Sequence, residues 1–393
     1  MKIGIYALVS KISGGTYQYT QCLINGLLKY TSLDYLIIRN KDFMPSETLR
    51  LRDNYHFVEI ATNPPDLLLK LKRAVYVSLP ISRNFVDVSN AYKIVKKCNI
   101  DLIINPITSL APIYVGIPYI VTIHDLQYKY YPSFFTLKQR ILRDYVYKHA
   151  AKNASLVICE SNFVKLDLMR ILKIPERKLR VIPSPPPENH VAYEINGGKL
   201  EKIKNKYKIP NEFLFYPAHF WYHKNHAKLF QSLAFLKRKY KEEIPVILVG
   251  LKKNGFGQAM QTIKELKMAK QIKWLDYVPE EDIACLYKLS TALVMPTLFE
   301  SLSMPIWEAL CLGVPVASSK VCALPEQVGN AGLLFDPYNV LDMAEKIYKI
   351  WTDDELKQRL IKNGYERVKN LTLENYARNW EEVIDTAIQK SRR

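Results

Sequence analysis

The sequence predicts an α/β protein made of two Rossmann-like, doubly wound domains facing a cleft, and three observations carry that prediction. Short apolar strands alternate with stretches of helical periodicity along almost the whole chain. A proline cluster near the middle breaks the alternation, which then restarts. No apolar run reaches the roughly 18 residues that a membrane-spanning helix needs.

Taken in order, residues 2–9 (KIGIYALV) read as the first buried strand and 17–30 as the first helix. Further strands are expected at 34–39, 56–60, 101–104, 119–123 and 155–159, with helices at 88–98 and 136–151. Unbroken apolar strands joined through helices belong to parallel sheets covered on both faces. Four prolines then fall between 183 and 187, and the stretch 181–198 ends in Gly197-Gly198. Proline removes backbone donors, so this segment reads as an interdomain linker; a long surface loop is the alternative. Beyond it, strands are expected at 213–217, 245–249, 272–276, 291–295, 314–317 and 332–335. Helices are expected at 224–240, 257–270, 280–289, 305–312, 339–352 and 353–368. The expected domains are therefore 1–182 and 199–371, joined by linker 183–198, with an amphipathic terminal helix in 372–393 packing back on the first.

A chain of 393 residues, 48% hydrophobic and 24% charged, is ordinary for a globular protein with a sizeable core. Its six cysteines (Cys22, Cys98, Cys159, Cys285, Cys311, Cys322) form no Cys-x-x-Cys pair. They read as free thiols in a reducing compartment, and no structural zinc is expected. The N-terminus lacks a signal peptide's pattern, which points to the cytoplasm. The net charge of +18 suits nucleic acid, anionic lipid or phosphorylated substrates. No nucleic-acid module is recognisable, so no nucleic-acid partner is expected. Much of the charge falls in 128–152, where Lys129, Lys138, Arg140, Arg143, Lys148 and Lys152 face one acid, Asp144, and alternate with aromatic residues. That mixture suits the anionic inner face of a membrane, with Lys129, Arg140, Arg143 and Lys148 as contacts; a solvated helix with inward aromatics is the alternative.

Four constellations carry candidate chemistry. Gly14-Gly15, between the first strand and helix, lets backbone approach a phosphate at a helix N-terminus, or is a plain turn. Thr122-Ile123-His124-Asp125 ends a strand, where His124 can donate a hydrogen bond to a sugar hydroxyl or pair with Asp125. The run Tyr216–Asn225 holds His219, His223 and Lys224; a lysine by a helix start neutralises a diphosphate. Last, Pro296–Glu308 sets Glu300 in a loop and Glu308 one turn into a helix begun by Pro305. Its unpaired amides at 302–305 are expected to face a donor phosphate, and its carboxylates to accept from vicinal hydroxyls. Two surface glutamates near a helix start are the alternative.

Together these pieces, with Glu326 and the stretch Asn330–Pro337, resemble the retaining family-four glycosyltransferases, whose fold is called GT-B. The segment Tyr216-Pro217-Ala218 through His223-Lys224-Asn225-His226 looks most like bacterial polysaccharide mannosyltransferases. The resemblance implies transfer of a hexose, mannose first, from a GDP- or UDP-sugar to a glycan or lipid-linked acceptor, with retention and without a metal. It implies Gly14 and Gly15 at the donor phosphates, His124 near the sugar's 6-hydroxyl, Lys224 on the diphosphate, Glu300 on sugar hydroxyls and Glu308 on the ribose. Asn225, Ser301, Leu302, Ser303 and Met304 complete the expected donor site. Leu302-Ser303 stand where the family usually has an aromatic and a glycine, and Tyr222 where the subgroup has proline. His219 and His223 occupy the stretch that often holds a second cation, so leaving-group charge is expected to be met partly by histidine. A nucleotide-sugar epimerase on the same fold and a noncatalytic nucleic-acid-binding protein are the rival readings.

Overall fold

A computed structural model describes residues 1–9, 14–41, 43, 55–59, 97–109, 116–186 and 195–392. The expected helix 88–98 lies outside these residues except for its last two positions, as do Ile60 and linker residues 187–194. The chain divides into two compact units. One is Met1–Ser184 with Leu373–Arg393, and the other is Pro185–Thr372.

The first unit is built on seven parallel strands: β1 (Lys2–Ala7), β2 (Asp34–Arg39), β3 (Tyr55–Glu59), β4 (Leu102–Asn105), β5 (Tyr119–Thr122), β6 (Leu156–Cys159) and β7 (Leu179–Val181). Their order in the sheet is β3-β2-β1-β4-β5-β6-β7. Helix α1 (Gly15–Tyr30) follows β1, while α2 (Leu137–Asn153) and α3 (Asn162–Arg170) flank β6. Thr136 and Gln139 form a reciprocal capping box at the start of α2, and Ser161 caps α3. The sheet is apolar on both faces. One layer joins Leu23 and Leu27 of α1 to Trp380 and Ile384, and the other takes in Ala150, Ala151, Val164 and Leu168.

The second unit repeats the plan. Its strands are β8 (Leu214–Pro217), β9 (Val246–Val249), β10 (Ile272–Leu275), β11 (Ala292–Met295), β12 (Val316–Ser319) and β13 (Gly332–Phe335), ordered β10-β9-β8-β11-β12-β13. Around them lie α4 (Gly197–Tyr207), α5 (His226–Tyr240), α6 (Phe256–Glu265), α7 (Glu280–Leu289), α8 (Met304–Cys311), α9 (Leu324–Val328), α10 (Val340–Thr352) and α11 (Asp354–Val368). The final helix α12 (Leu373–Arg392) belongs to the first unit, where Leu373 packs against Gly26 of α1.

Several boundaries differ from the sequence expectation for physical reasons. Gly197-Gly198 open α4, capped by the Asn196 side chain, instead of ending a linker. The strand expected at 314–317 runs over Val316–Ser319, because Pro315 has no N–H and offers only its carbonyl, to Leu293. Helix α6 stops at Glu265, short of 270, and Lys267 just beyond it is left-handed with φ 55°. In each sheet the order reverses beside the first strand of the unit, between β1 and β4 and between β8 and β11. Those switch points are where open α/β sheets bind ligands, outside the carboxyl ends of the strands.

Candidate active site

In the second unit the site starts where β8 ends. Gly250, just past β9, has φ +151°, and a Cβ there would stand 2.4 Å from the Ala218 carbonyl oxygen. Only glycine allows that approach. It brings the Leu251 N–H onto His219 Nδ1 at 3.0 Å, which places the ring proton on Nε2. Burial, helped by Lys253 and Lys224, lowers the pKa of His219. Burial and the Lys224 charge push His223 down to about 3. A helical turn over Tyr222–Lys224 then leads into Asn225, which is left-handed at φ 58°. Its Nδ2 donates to the carbonyls of Pro296 at 2.9 Å and Pro337 at 3.0 Å, tying the ends of β8, β11 and β13 together.

The loop after β11 is fixed to the same segment. Leu298 N–H and the Thr297 hydroxyl both donate to the His223 carbonyl, at 2.7 Å and 3.0 Å. Across this junction the Lys224 ammonium pairs with the Glu300 carboxylate, the two side chains being only 18% and 14% exposed. Tyr216 Oη holds the Lys224 carbonyl at 2.6 Å from below. Downstream, Pro305 stands in the first turn of α8. Glu308 is buried, and its Oε2 accepts from Tyr287 Oη at 2.6 Å. A cation, a carboxylate and a neutral N–H donor therefore gather by one switch point. This set can take an anion and vicinal hydroxyls together.

The first unit places its groups on successive strand ends. Gly14 precedes α1 with φ 58°, and its carbonyl accepts from Tyr17 and Gln18. A Cβ at Gly14 or Gly15 would meet nothing within 4 Å. His124 stands just past β5, where the Ile123 N–H still bonds to Ile158 O at 2.9 Å. Its Nδ1 lies 2.8 Å from Glu160 Oε2, just past β6, and its Nε2 lies 3.0 Å from the Pro106 carbonyl, just past β4. The Ser184 hydroxyl donates to the other Glu160 oxygen. Tyr19 meets the ring edge-to-face at 4.7 Å and shares a hydrogen bond with Thr122. Burial opposes protonation of His124, but the hydrogen bond and charge of Glu160, the Pro106 carbonyl and Asp125 outweigh it, so the pKa is raised.

Residues 199–367 match the family model for glycosyl transferases group 1, and residues 48–185 match that for glycosyltransferase family 4. The chain belongs to the family-four (group 1) glycosyltransferases. This glycosyltransferase is similar to O-antigen chain mannosyltransferase B of Escherichia coli, at 24% identity over 257 residues, 65% of this chain and 67% of that one. It is also similar to the serotype-specific mannosyltransferase WbdA of Escherichia coli, at 22% over 211 residues, 53% of this chain but only 26% of WbdA. Its fold is that of HepE from Anabaena, solved with UDP and glucose, at 19% identity and a TM-score of 0.74, covering 98% of this chain and all of HepE (100%). The two Rossmann-like units are those of a GT-B enzyme.

Within the glycosyltransferase frame, several expected roles change. Burial beside Lys224 lowers the pKa of His219 and pushes that of His223 down to about 3, so both rings favour the neutral form. Asn225 braces three strand ends with both amide hydrogens, so these are not available to a donor. The Ser303 amide is not unpaired: it donates to Gln327 Oε1 at 2.9 Å, and Gln327 Nε2 returns a bond to the Ser303 carbonyl at 2.7 Å. Leu302 and Met304 pack against the core, and Ser301 is half-buried. Asp125 is not the partner of His124; its Oδ1 accepts from Gln127 N–H at 2.9 Å. Glu160, Ser184 and Gln327 are absent from the sequence reading, although an acid directly after an apolar strand is a signal that finds Glu160.

The basic segment of this glycosyltransferase is only partly as expected. Lys129 is tied to Asp144, at 2.7 Å, and Arg143 lies over the Phe135 ring and donates to Tyr147 Oη at 3.0 Å. Tyr128 is buried against Phe135 and Tyr147. Beside exposed Lys138 and Lys148, α2 turns outward Leu137, Ile141 and Leu142, which are 63%, 61% and 47% exposed. At helical spacing Arg140 and Lys148 share the face of Leu137 and Ile141. No helix among the described residues is long and apolar enough to cross a membrane.

Proposed function

We propose that this glycosyltransferase moves a hexose, mannose in the first instance, from a nucleoside diphosphate sugar to a glycan or lipid-linked acceptor in surface polysaccharide assembly. The observation that carries the proposal is the Lys224–Glu300 pair beside the switch point of the second sheet. Lys224 meets the departing diphosphate, and Glu300 accepts from sugar hydroxyls. Glu308, next to Tyr287, takes the ribose, and the Gly14-Gly15 backbone contacts the phosphates. His124 donates from Nε2 to the sugar, which takes the place of the Pro106 carbonyl. The reaction retains configuration at the anomeric carbon, and the lysine replaces a metal at the diphosphate. The similarity to mannosyltransferases of Escherichia coli supports mannose as the sugar.

The acceptor is reached at a membrane surface in this reading. Exposed Leu137 and Ile141 enter the headgroup region while Arg140 and Lys148 meet anionic lipid. The enzyme then works on the cytoplasmic face as a peripheral protein. A thermal-shift panel of GDP- and UDP-sugars tests the donor. At a hundred times its Kd a cognate sugar adds about 2.7 kcal/mol. A panel in which no nucleotide sugar shifts Tm refutes the proposal. Product analysis with donor alone separates transfer from epimerisation, because epimerisation needs no acceptor.

A further inference from the structure

We infer that Glu160 is a positioning residue that holds the His124 ring doubly protonated and in a fixed orientation, with Ser184 completing the hydrogen bonding of Glu160. Contacts on both sides of the ring point to it. The Pro106 carbonyl, 3.0 Å from Nε2, cannot donate, so Nε2 carries a proton. At Nδ1 the neighbour is a carboxylate at 2.8 Å, and a second proton there turns a lone-pair clash into a charge-assisted bond. Glu160 is 6% exposed, and an isolated carboxylate at that depth is costly. An imidazolium on one oxygen and the Ser184 hydroxyl on the other satisfy it.

The surrounding groups agree. Asp125, adjacent in sequence, adds favourable charge to the ring while its own carboxylate stays on Gln127. Tyr19, edge-to-face with the ring, and Tyr376, near Tyr19, are phenols whose pKa values burial raises well above 10.0, so both stay neutral. The sheet fixes the register of the three groups. The Ile123–Ile158 and Ile182–Cys159 backbone bonds extend the β5–β6 and β6–β7 ladders to the residues next to His124 and Glu160. Ser184 is also the last residue of the first unit before the chain passes into the second. The ring thus already carries its Nε2 proton, and a substrate oxygen that displaces the Pro106 carbonyl can receive it without a prior protonation step.

The effect on turnover rests on the proposed transfer role of His124; the effect on the ring does not. The test is a pH titration of 15N-histidine-labelled full-length protein by NMR, with His124→Asn to assign the signal. The wild-type midpoint should lie above the ordinary 6.5, with both nitrogens protonated below it. Glu160→Gln keeps the shape and removes the charge, and should lower the midpoint by about one unit or more. Glu160→Asp should recover part of the shift. Because the doubly protonated ring is the working form, activity should fall as pH rises through the midpoint. That limb should move to lower pH in Glu160→Gln, with kcat reduced about tenfold and KM for the donor less affected. A wild-type midpoint at or below 6.5, which needs no variant to fold, overturns the inference. So does an unchanged midpoint in Glu160→Gln. A shifted midpoint with unchanged turnover upholds the positioning of the ring and removes His124 from the transfer reaction.

Discussion

Replacing Glu300 by glutamine keeps the side chain's shape but removes the counter-charge of Lys224. Fully exposed ion pairs are worth about 0–1 kcal/mol, whereas stripping one partner from a buried pair costs about 3–5 kcal/mol. With 18% and 14% of the two side chains exposed, this pair lies toward the buried end, and solvent screening trims the cost to about 2 kcal/mol. Chemical denaturation of wild type, Glu300→Gln, Lys224→Met and the double variant measures it. The double variant should be more stable than additivity predicts by about 1–3 kcal/mol, since it leaves no orphan charge. Transfer should fall at least tenfold in Glu300→Gln, about 1.4 kcal/mol of barrier, because an amide accepts more weakly from hydroxyls as charge develops. Additivity within about 0.5 kcal/mol would show the pair to be uncoupled. A loss smaller than tenfold would remove Glu300 from the transfer step.

Lys224→Ala should weaken binding of the free nucleoside diphosphate by about 1.5–3 kcal/mol, read by calorimetry; equal affinity would make Lys224 a structural partner of Glu300 only. Sugar transfer should continue in excess EDTA, because a lysine serves the diphosphate; activity lost to chelator and restored by magnesium refutes this. Leu137→Ser with Ile141→Ser and Arg140→Glu should release the protein from vesicles containing phosphatidylserine, each basic residue being worth about 1 kcal/mol there. Unchanged sedimentation would make α2 an ordinary solvated face. Stability should fall on acidification below about pH 6.5, because His223 and His226, both held down at about 3, stay unprotonated in the fold while the unfolded chain takes up protons. Each contributes up to about 1.4 kcal/mol per pH unit, so His226→Gln should flatten the fall of Tm between pH 7 and 5, and an unchanged slope refutes the assignment.

Much of the scaffold is legible because buried parallel strands are written as unbroken apolar runs. The VILV of β9 and the ALVM of β11 are such runs. The three residues of β7, with Arg180 in the middle, carry no such signature and are visible only through pairing with β6. The nine-residue α3 is similarly short. At the site, residue types survive but partnerships do not. Asp125 adjoins His124 in sequence, yet the carboxylate that reaches the ring lies 36 positions on, brought there by the register of β5 against β6. Asn225 and Ser303 sit where a donor site is expected, but strand ends and Gln327 already engage them. Local sequence reports where a strand ends; the neighbouring strand decides which partner waits there.

The return of α12 to the first unit sets the order in which the protein can be completed on the ribosome. Trp380, Ile384 and Ala387 are fully buried in the first unit's apolar layer, yet they are synthesised after every residue of the second unit. The first half of the chain therefore leaves the exit tunnel with one face of its sheet uncovered along α1. The second unit, continuous from Pro185 to Thr372, contains all its own elements, whereas the first is complete only once α12 has been made. A chain stopped before Leu373 would therefore lack part of the first unit's core while leaving the second unit's residues complete.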